Sequence, residues 1–287
     1  MIYPINNIST YKRYSPNTNY QQPNFNGILD KCTQKACKRF VIQSRARRIP
    51  IDQELKNYLK IVKLKHENET YEAFDINPNN AKQYIVFYHG LGQNITSNQH
   101  FYKSIIKKGY GVLAVEHSGF GNSNGQLSAK SIKNNSKAVI QYFKERQIPL
   151  RNVGVVSHSL GSFPATDLTH RGNEFKFVIL ISPFNSLKKE KDFLLRQSSK
   201  LPHSFKFLIK KFPFILNAFD KRFKIASRLK KIKSPIYLIH STDDRTIPIK
   251  STEELAKKST NLKNFVILDS GKHGLNQEKI KIFESLI

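Results

Sequence analysis

The stretch VVSHSLGS, residues 155–162, sets a centred serine between an apolar run that reads as a strand and a run with helical spacing. An ordinary strand-to-helix turn has no need of Ser157, His158, Ser159, Leu160 and Gly161 crowded into one corner. A serine at a tight corner of this kind is pushed out of the backbone, so that a base reaches its hydroxyl from one side and a substrate from the other. The plain alternative is a turn that contains serine by chance. The pattern is short, and its first small position holds Ser157 rather than glycine.

On both sides of the corner, short apolar runs alternate with longer helical ones. YIVFYH (84–89), GVLAVE (111–116), VGVVS (153–157), FVILIS (177–182), PIYLIH (235–240) and NFVILD (264–269) read as strands. Helices are expected near 98–108, 129–147, 160–170, 250–259 and 275–286. Strands that are apolar throughout belong in a sheet covered on both faces. The alternation therefore predicts the α/β class, with a mostly parallel, doubly covered sheet whose ligands bind beyond the carboxyl ends of its strands. Upstream, YLKIVKLKH and TYEAFDI flank the polar ENE and predict an opening two-stranded hairpin.

One interval breaks the alternation. Residues 183–233 are far longer than a crossover helix requires, and they carry eight phenylalanines among fifteen Lys or Arg and only three acids, Glu190, Asp192 and Asp220. Two readings stay open: a helical cap with its aromatics turned over a pocket, or a helical pair packed on the sheet with a solvated basic face. At the other end, residues 1–27 are rich in Asn, Tyr, Pro, Gln and Ser with no apolar period, as in a disordered arm. Residues 28–58, with the basic KRFVIQSRARR, read as a docking helix or a linker, and the folded domain is expected over 59–287.

The chain of 287 residues is 39% apolar, enough for one large α/β domain with a sizeable core. No apolar run approaches the roughly 18 residues of a membrane span, and no signal-peptide segment opens the chain, so the expected location is cytoplasmic. Cys32 and Cys37 are separated by four residues, unlike redox or zinc pairs, and no disulfide framework is expected. The net charge of +27 admits nucleic acid or an anionic membrane surface as a partner, or else a compositional bias in which scattered lysines are solvated surface. With no nucleic-acid-binding motif present, nucleic acid rests on charge alone and is not expected.

Serine is a poor nucleophile unless a histidine takes its proton and a carboxylate orients that histidine. Both follow in order. STDDRTIP after PIYLIH offers Asp243 and Asp244 at a strand end, and SGKHGL after NFVILD places His273 in the next strand-end turn. Ser, then Asp, then His, each just past a strand, is the chain order of one particular fold. Attack on a carbonyl also creates an oxyanion that needs two N–H donors at about 3 Å. In FYHGLGQN, the turn at His89 and Gly90 aims the N–H of Leu91 toward the pocket, and the N–H of Leu160, directly after the serine, is the second candidate. The bland reading of HGLG is a flexible turn.

From about residue 60 to 287 these motifs resemble the α/β-hydrolase superfamily. GYGVLAVEHSGFGNSNG, ISPFNS and SPIYLIHSTDDRTIP are similar to the branch holding monoacylglycerol-lipase-like enzymes, serine-aminopeptidase-like hydrolases and acyl-protein thioesterases. The resemblance implies Ser159 as nucleophile, His273 as base and Asp244 as the acid; Asp244 is favoured over Asp243 because the family's acid stands three residues before the first residue of the pair Ile247-Pro248. It also implies that the insertion caps an α/β-hydrolase fold. The chain departs from the family at Ser157 and Ser162, where glycine is usual, at Glu116, His117 and Ser118 in place of Asp, Tyr and Arg, and at Ser241 in place of glycine. None of these removes a reacting atom, although the Glu116 change puts the stabilisation of its loop in question. His158 is expected to pack or to make a local hydrogen bond rather than to react, and His117 and His240 to be turn or strand-end residues.

The expected function is a serine hydrolase acting on small-molecule acyl esters or thioesters, as a monomer, without metal or cofactor, and with a possible peripheral contact to anionic membrane. The competing expectations are a peptidase that trims peptide N-termini, which needs an acidic group for the free amine, and a silent binding protein that keeps the fold.

Overall fold

A computed structural model describes residues 48–287 apart from 79, 126, 173, 184 and 186–224. The proposed arm, most of the basic linker and most of the 183–233 insertion lie outside the described residues. The described residues open with a single helical turn, α1 (Gln53–Lys56), and the hairpin strands β1 (Leu59–His66) and β2 (Glu69–Ile76). It then alternates: β3 (Tyr84–Tyr88), α2 (Gln99–Lys107), β4 (Gly111–Val115), α3 (Ala129–Glu145), β5 (Val153–His158), α4 (Ser162–Gly172) and β6 (Phe177–Ile181). The described end of the insertion holds α5 (Ile225–Leu229), and after it come β7 (Ile236–Ser241), α6 (Ile249–Ala256), β8 (Leu262–Leu268) and α7 (Gln277–Leu286).

Among the described residues eight strands form one sheet, in the order β1-β2-β4-β3-β5-β6-β7-β8. β1 and β2 pair antiparallel, β2 pairs antiparallel with β4, and every other neighbour is parallel. This is the mostly parallel sheet with an opening hairpin that the alternation predicts, and the α/β-hydrolase fold that the resemblance implies. The apolar strands explain themselves through the pleat, which sends alternate side chains to opposite faces. Tyr84, Val86, Val153, Val155, Val178 and Leu180 join one core, with Val139 and Phe143 of α3 and Phe163 and Leu168 of α4. Ile85, Phe87, Val156, Ile179 and Ile181 join the other, with Phe101 and Ile105 of α2 and Ile280 and Phe283 of α7. Because both faces are covered, these strands are apolar along most of their length, and the polar Ser157 and His158 stand at the end of β5. Helix α3 starts where a reciprocal cap permits it: the Ser128 hydroxyl accepts from the Ser131 N–H at 3.0 Å, and the Ser131 hydroxyl accepts from the Ser128 N–H at 2.8 Å.

The packed chain reaches back further than the hairpin. Leu55 of α1 is fully buried in the second core, the Ile49 N–H donates to Thr96 Oγ1 at 2.8 Å, and Arg48 pairs with the Glu72 carboxylate at 2.7 Å. Within the stretch read as a docking helix or a linker, residues 48–58 thus pack on the sheet through Arg48, Ile49 and Leu55. No helix among the described residues is long and apolar enough to cross a membrane.

Candidate active site

β5 lies between β3 and β6, and its carboxyl end carries the corner read from the sequence. The chain leaves the strand at His158, makes one tight turn over Ser159, Leu160 and Gly161, and enters α4. Ser159 has φ +51°, a left-handed conformation unusual for a residue with a side chain. Such strain persists only where the surroundings enforce it. The enforcement is visible at Gly161, where an added Cβ would lie 2.3 Å from the Tyr88 carbonyl oxygen of β3. Only glycine lets α4 start so close to the neighbouring strand. Ser157 and Ser162, the serines in usual glycine places, are fully buried, and their hydroxyls have no hydrogen-bond partner.

The corner meets two loops from distant parts of the chain. His273, after β8, accepts at Nε2 from the Ser159 hydroxyl at 2.9 Å, and its Nδ1–H donates to Asp244 Oδ2 at 2.7 Å. A carboxylate can only accept, so the bond to Asp244 fixes the proton on Nδ1 and leaves Nε2 free for the serine. Asp244, 4% exposed, accepts four donors: the N–H groups of Thr246 and Ile247 on Oδ1, and His273 and His240 on Oδ2. Burial pushes its carboxyl pKa up, but the hydrogen bonds from His240, His273 and the Ile247 backbone outweigh burial and hold it well below the usual carboxylate range. Asp243, the sequence's other candidate acid, instead accepts from the Lys272 N–H at 2.8 Å and so braces the histidine loop.

The remaining sequence candidates fall as follows. Gly90 lies so close to the corner that a Cβ there would stand 2.8 Å from His158 Nδ1, which brings the turn bearing Leu91 against the turn bearing Leu160. The Leu91 side chain is 42% exposed and Leu160 is buried. His158 donates from Nε2 to the His273 carbonyl at 2.7 Å, a bond across 115 positions rather than the local one expected. Burial, together with the neighbouring His273, holds its pKa down at about 3, so the ring is neutral. His117 donates to the His89 carbonyl at 2.8 Å. The loop put in question by Glu116 is held by that residue: Oε1 accepts from His89 Nε2 at 2.5 Å and Oε2 from the Ile95 N–H at 3.2 Å.

Two side chains escape the sequence reading. His240, taken as a turn or strand-end residue, is the last but one of β7, but its Nε2–H is shared between the Ile247 carbonyl at 3.0 Å and Asp244 Oδ2 at 3.3 Å, and Thr252 fixes its other nitrogen at 2.7 Å. Lys279 contradicts the view of lysines as solvated surface, since it is fully buried. Its position was the available signal: a spacing of four puts it on one face of α7 with Phe283, which is buried.

The profile of the family described as "Serine aminopeptidase, S33" matches residues 79–213. The lysophosphatidylserine lipase ABHD12 of Danio rerio is 28% identical over 175 residues, covering 56% of this chain and 43% of that protein. Protein YqkD of Bacillus subtilis is 24% identical over 214 residues, covering 72% of this chain and 70% of its own length. This chain thus spans less than half of the zebrafish lipase. Among solved structures, the Pyrococcus furiosus esterase Pf2001 superposes with a TM-score of 0.67 at 20% identity, covering 84% of this chain and 94% of that one. Est1E from Butyrivibrio proteoclasticus, solved with ferulic acid, gives 0.62 at 15% identity, over 78% of this chain and 95% of that one. Sheet order, serine corner and these likenesses agree: the chain has the α/β-hydrolase fold, and residues 79–213 are similar to the serine aminopeptidase family.

Proposed function

We propose that this hydrolase cleaves carboxylic esters or thioesters of acyl groups through an acyl-enzyme. The observation that carries the reading is the unbroken relay from Ser159 Oγ through the His273 ring to a buried, four-fold bonded Asp244. In the first half-reaction the Ser159 oxygen attacks the acyl carbonyl carbon while its proton passes to His273 Nε2. The tetrahedral oxyanion is held by the N–H groups of Leu91 and Leu160. It collapses as the alcohol or thiol leaves with the proton from His273. In the second, water attacks the acyl-serine, gives its proton to His273, and the acid departs as Ser159 regains a proton. Asp244 stays ionised throughout and stabilises the charged ring.

An acyl ester is favoured over a peptide by the likeness to a lysophosphatidylserine lipase. The phenylalanines and lysines of residues 183–233 suit an acyl chain beside an anionic headgroup or membrane surface, and we assign the cap role and substrate choice to that segment. The peptidase reading draws on the description of the matching family. It would need a carboxylate to hold the free amine; among the described residues Asp244 is occupied by its donors and Asp243 accepts from Lys272, while Glu190, Asp192 and Asp220 of the insertion lie outside the described residues. The reading further takes the chain as a cytoplasmic monomer; light scattering on the eluting protein at more than one chain's mass would overturn the monomer.

The test is labelling with a fluorophosphonate probe, followed by p-nitrophenyl esters of graded chain length beside aminoacyl nitroanilides. Wild type should label and Ser159→Ala should not. Folded wild type that resists the probe defeats the hydrolase assignment, and a preference for the anilides makes the enzyme a peptidase.

A further inference from the structure

No strand holds the loop that carries His273. β8 ends at Leu268 and α7 begins at Gln277, and between them Gly271 and Lys272 take left-handed backbone, at φ +131° and +53°. Five consecutive carbonyls of this loop nevertheless meet side-chain donors. Asn276 Nδ2 reaches Gly271 O at 3.3 Å, His158 Nε2 reaches His273 O at 2.7 Å, and His100 Nε2 reaches Leu275 O at 3.4 Å. The other two belong to one group: Lys279 Nζ donates to Lys272 O at 2.5 Å and to Gly274 O at 3.1 Å, the carbonyls on either side of His273.

The third proton of that ammonium goes to Ser182 Oγ at 3.1 Å, one residue past β6. Both partners are fully buried, and Ser182 is itself held at φ +46°. An ammonium taken out of water is costly unless every N–H finds an acceptor, and here three donors meet three acceptors. Burial brings its pKa down to about 8, against the raising influence of Asp244, Asp243 and Glu278. A methionine would fill the same volume without that cost, so packing alone gives no reason for a lysine at this position.

We propose that Lys279 is a positioning residue for the reaction: its buried ammonium ties the two peptide carbonyls flanking His273 to the end of β6, and so sets the imidazole between Asp244 and Ser159. The proposal rests on the Ser159–His273–Asp244 reading above. Lys279 touches no substrate. Its effect is on the placement of the ring, and a catalytic group displaced by about 1 Å costs roughly 10²-fold in rate.

The experiment uses the full chain as wild type, Lys279→Met and Ser182→Ala. Three things are measured on each: thermal unfolding, the rate of fluorophosphonate labelling, and kcat and KM on a p-nitrophenyl ester. In folded Lys279→Met, kcat and the labelling rate should fall together by about 10²-fold while KM stays within about twofold. Ser182→Ala removes one acceptor and keeps both loop carbonyls, and should lose only several-fold, again in kcat. Folded Lys279→Met with wild-type kcat, or with its loss in KM alone, overturns the proposal. If Lys279→Met does not fold, Ser182→Ala decides: a lower kcat at unchanged KM supports the tie, and unchanged kcat overturns it. Wild type that neither labels nor turns over overturns the hydrolase reading itself, and this proposal with it.

Discussion

Ser159 and His273 are 2.9 Å apart, yet the two regions that present them are held by different means. The serine corner is a backbone construction. β5 is paired along its length with β3 and β6, the turn follows directly, and Gly161 presses against the Tyr88 carbonyl. The histidine loop has no such ladder and takes its shape from Asn276, Lys279, His158, Asp243 and Asp244, side chains borne by two other parts of the chain, by the end of the loop itself and by the helix that follows. The corner should therefore fail when atoms are added to it, and the loop when donors and acceptors are taken away.

The largest effect tests the removal side. Asp244→Asn keeps the shape of the side chain but replaces an acceptor-only carboxylate with a group that no longer fixes the proton on His273 Nδ1. We expect kcat to drop by about 10³- to 10⁴-fold, as loss of the correct tautomer does in a triad. Stability carries a second signature. The carboxyl is depressed in the folded protein, so its stabilising contribution is fully present above the unfolded-state pKa of about 4 and is lost as pH falls toward the folded value. The gap in melting temperature between wild type and Asp244→Asn should stay constant from pH 7 to 5 and close below about pH 4. A gap that widens in acid would mean the group is not depressed, and a kcat within tenfold of wild type would show that the loop does not depend on this side chain.

Next comes a pair of glycines, one in each region. At Gly161 an added Cβ meets backbone at 2.3 Å, whereas nothing stands within 4 Å of one built at Gly274. Gly161→Ala should cost about 2–3 kcal/mol, because neither strand nor helix can move aside, while Gly274→Ala should stay within about 0.5 kcal/mol. Urea unfolding of the two variants measures both. Equal losses would erase the distinction between a backbone-held corner and a side-chain-held loop.

That distinction also decides what the sequence makes legible. The corner announces itself because backbone constraints select residue types: small residues around Ser159, apolar strands before it, glycine where the helix must approach. Asp244 and His273 are legible for the same reason, since each follows a strand whose apolar run can be read. What holds them is not legible. Lys279 meets Ser182 and His158 meets His273 across wide gaps in the chain, and such contacts leave no local pattern beyond a lysine on an apolar helix face. The Glu116 departure from the family shows the same limit. Its side chain still reaches His89 and the Ile95 N–H, and only the placed backbone reveals that reach. The cap, read as a segment rich in phenylalanine and lysine, falls mostly on residues 184 and 186–224, outside the described residues.

The smallest expected effect has the opposite sign and probes whether the corner owes anything to its side chains. Ser162 opens α4 fully buried, with no partner for its hydroxyl, and stands where relatives of this fold commonly have glycine. A buried hydroxyl without a partner is a cost rather than a support, and alanine is the better helix former. Ser162→Ala should therefore raise the unfolding free energy by about 1 kcal/mol in urea titration, with fluorophosphonate labelling unchanged. If the variant is instead less stable, the hydroxyl is bonded in solution and the corner relies on side chains as the histidine loop does. If stability rises and labelling slows, the small residues of the corner tune the pose of Ser159, and the strain at its φ of +51° is shared with its neighbours rather than enforced by Gly161 alone.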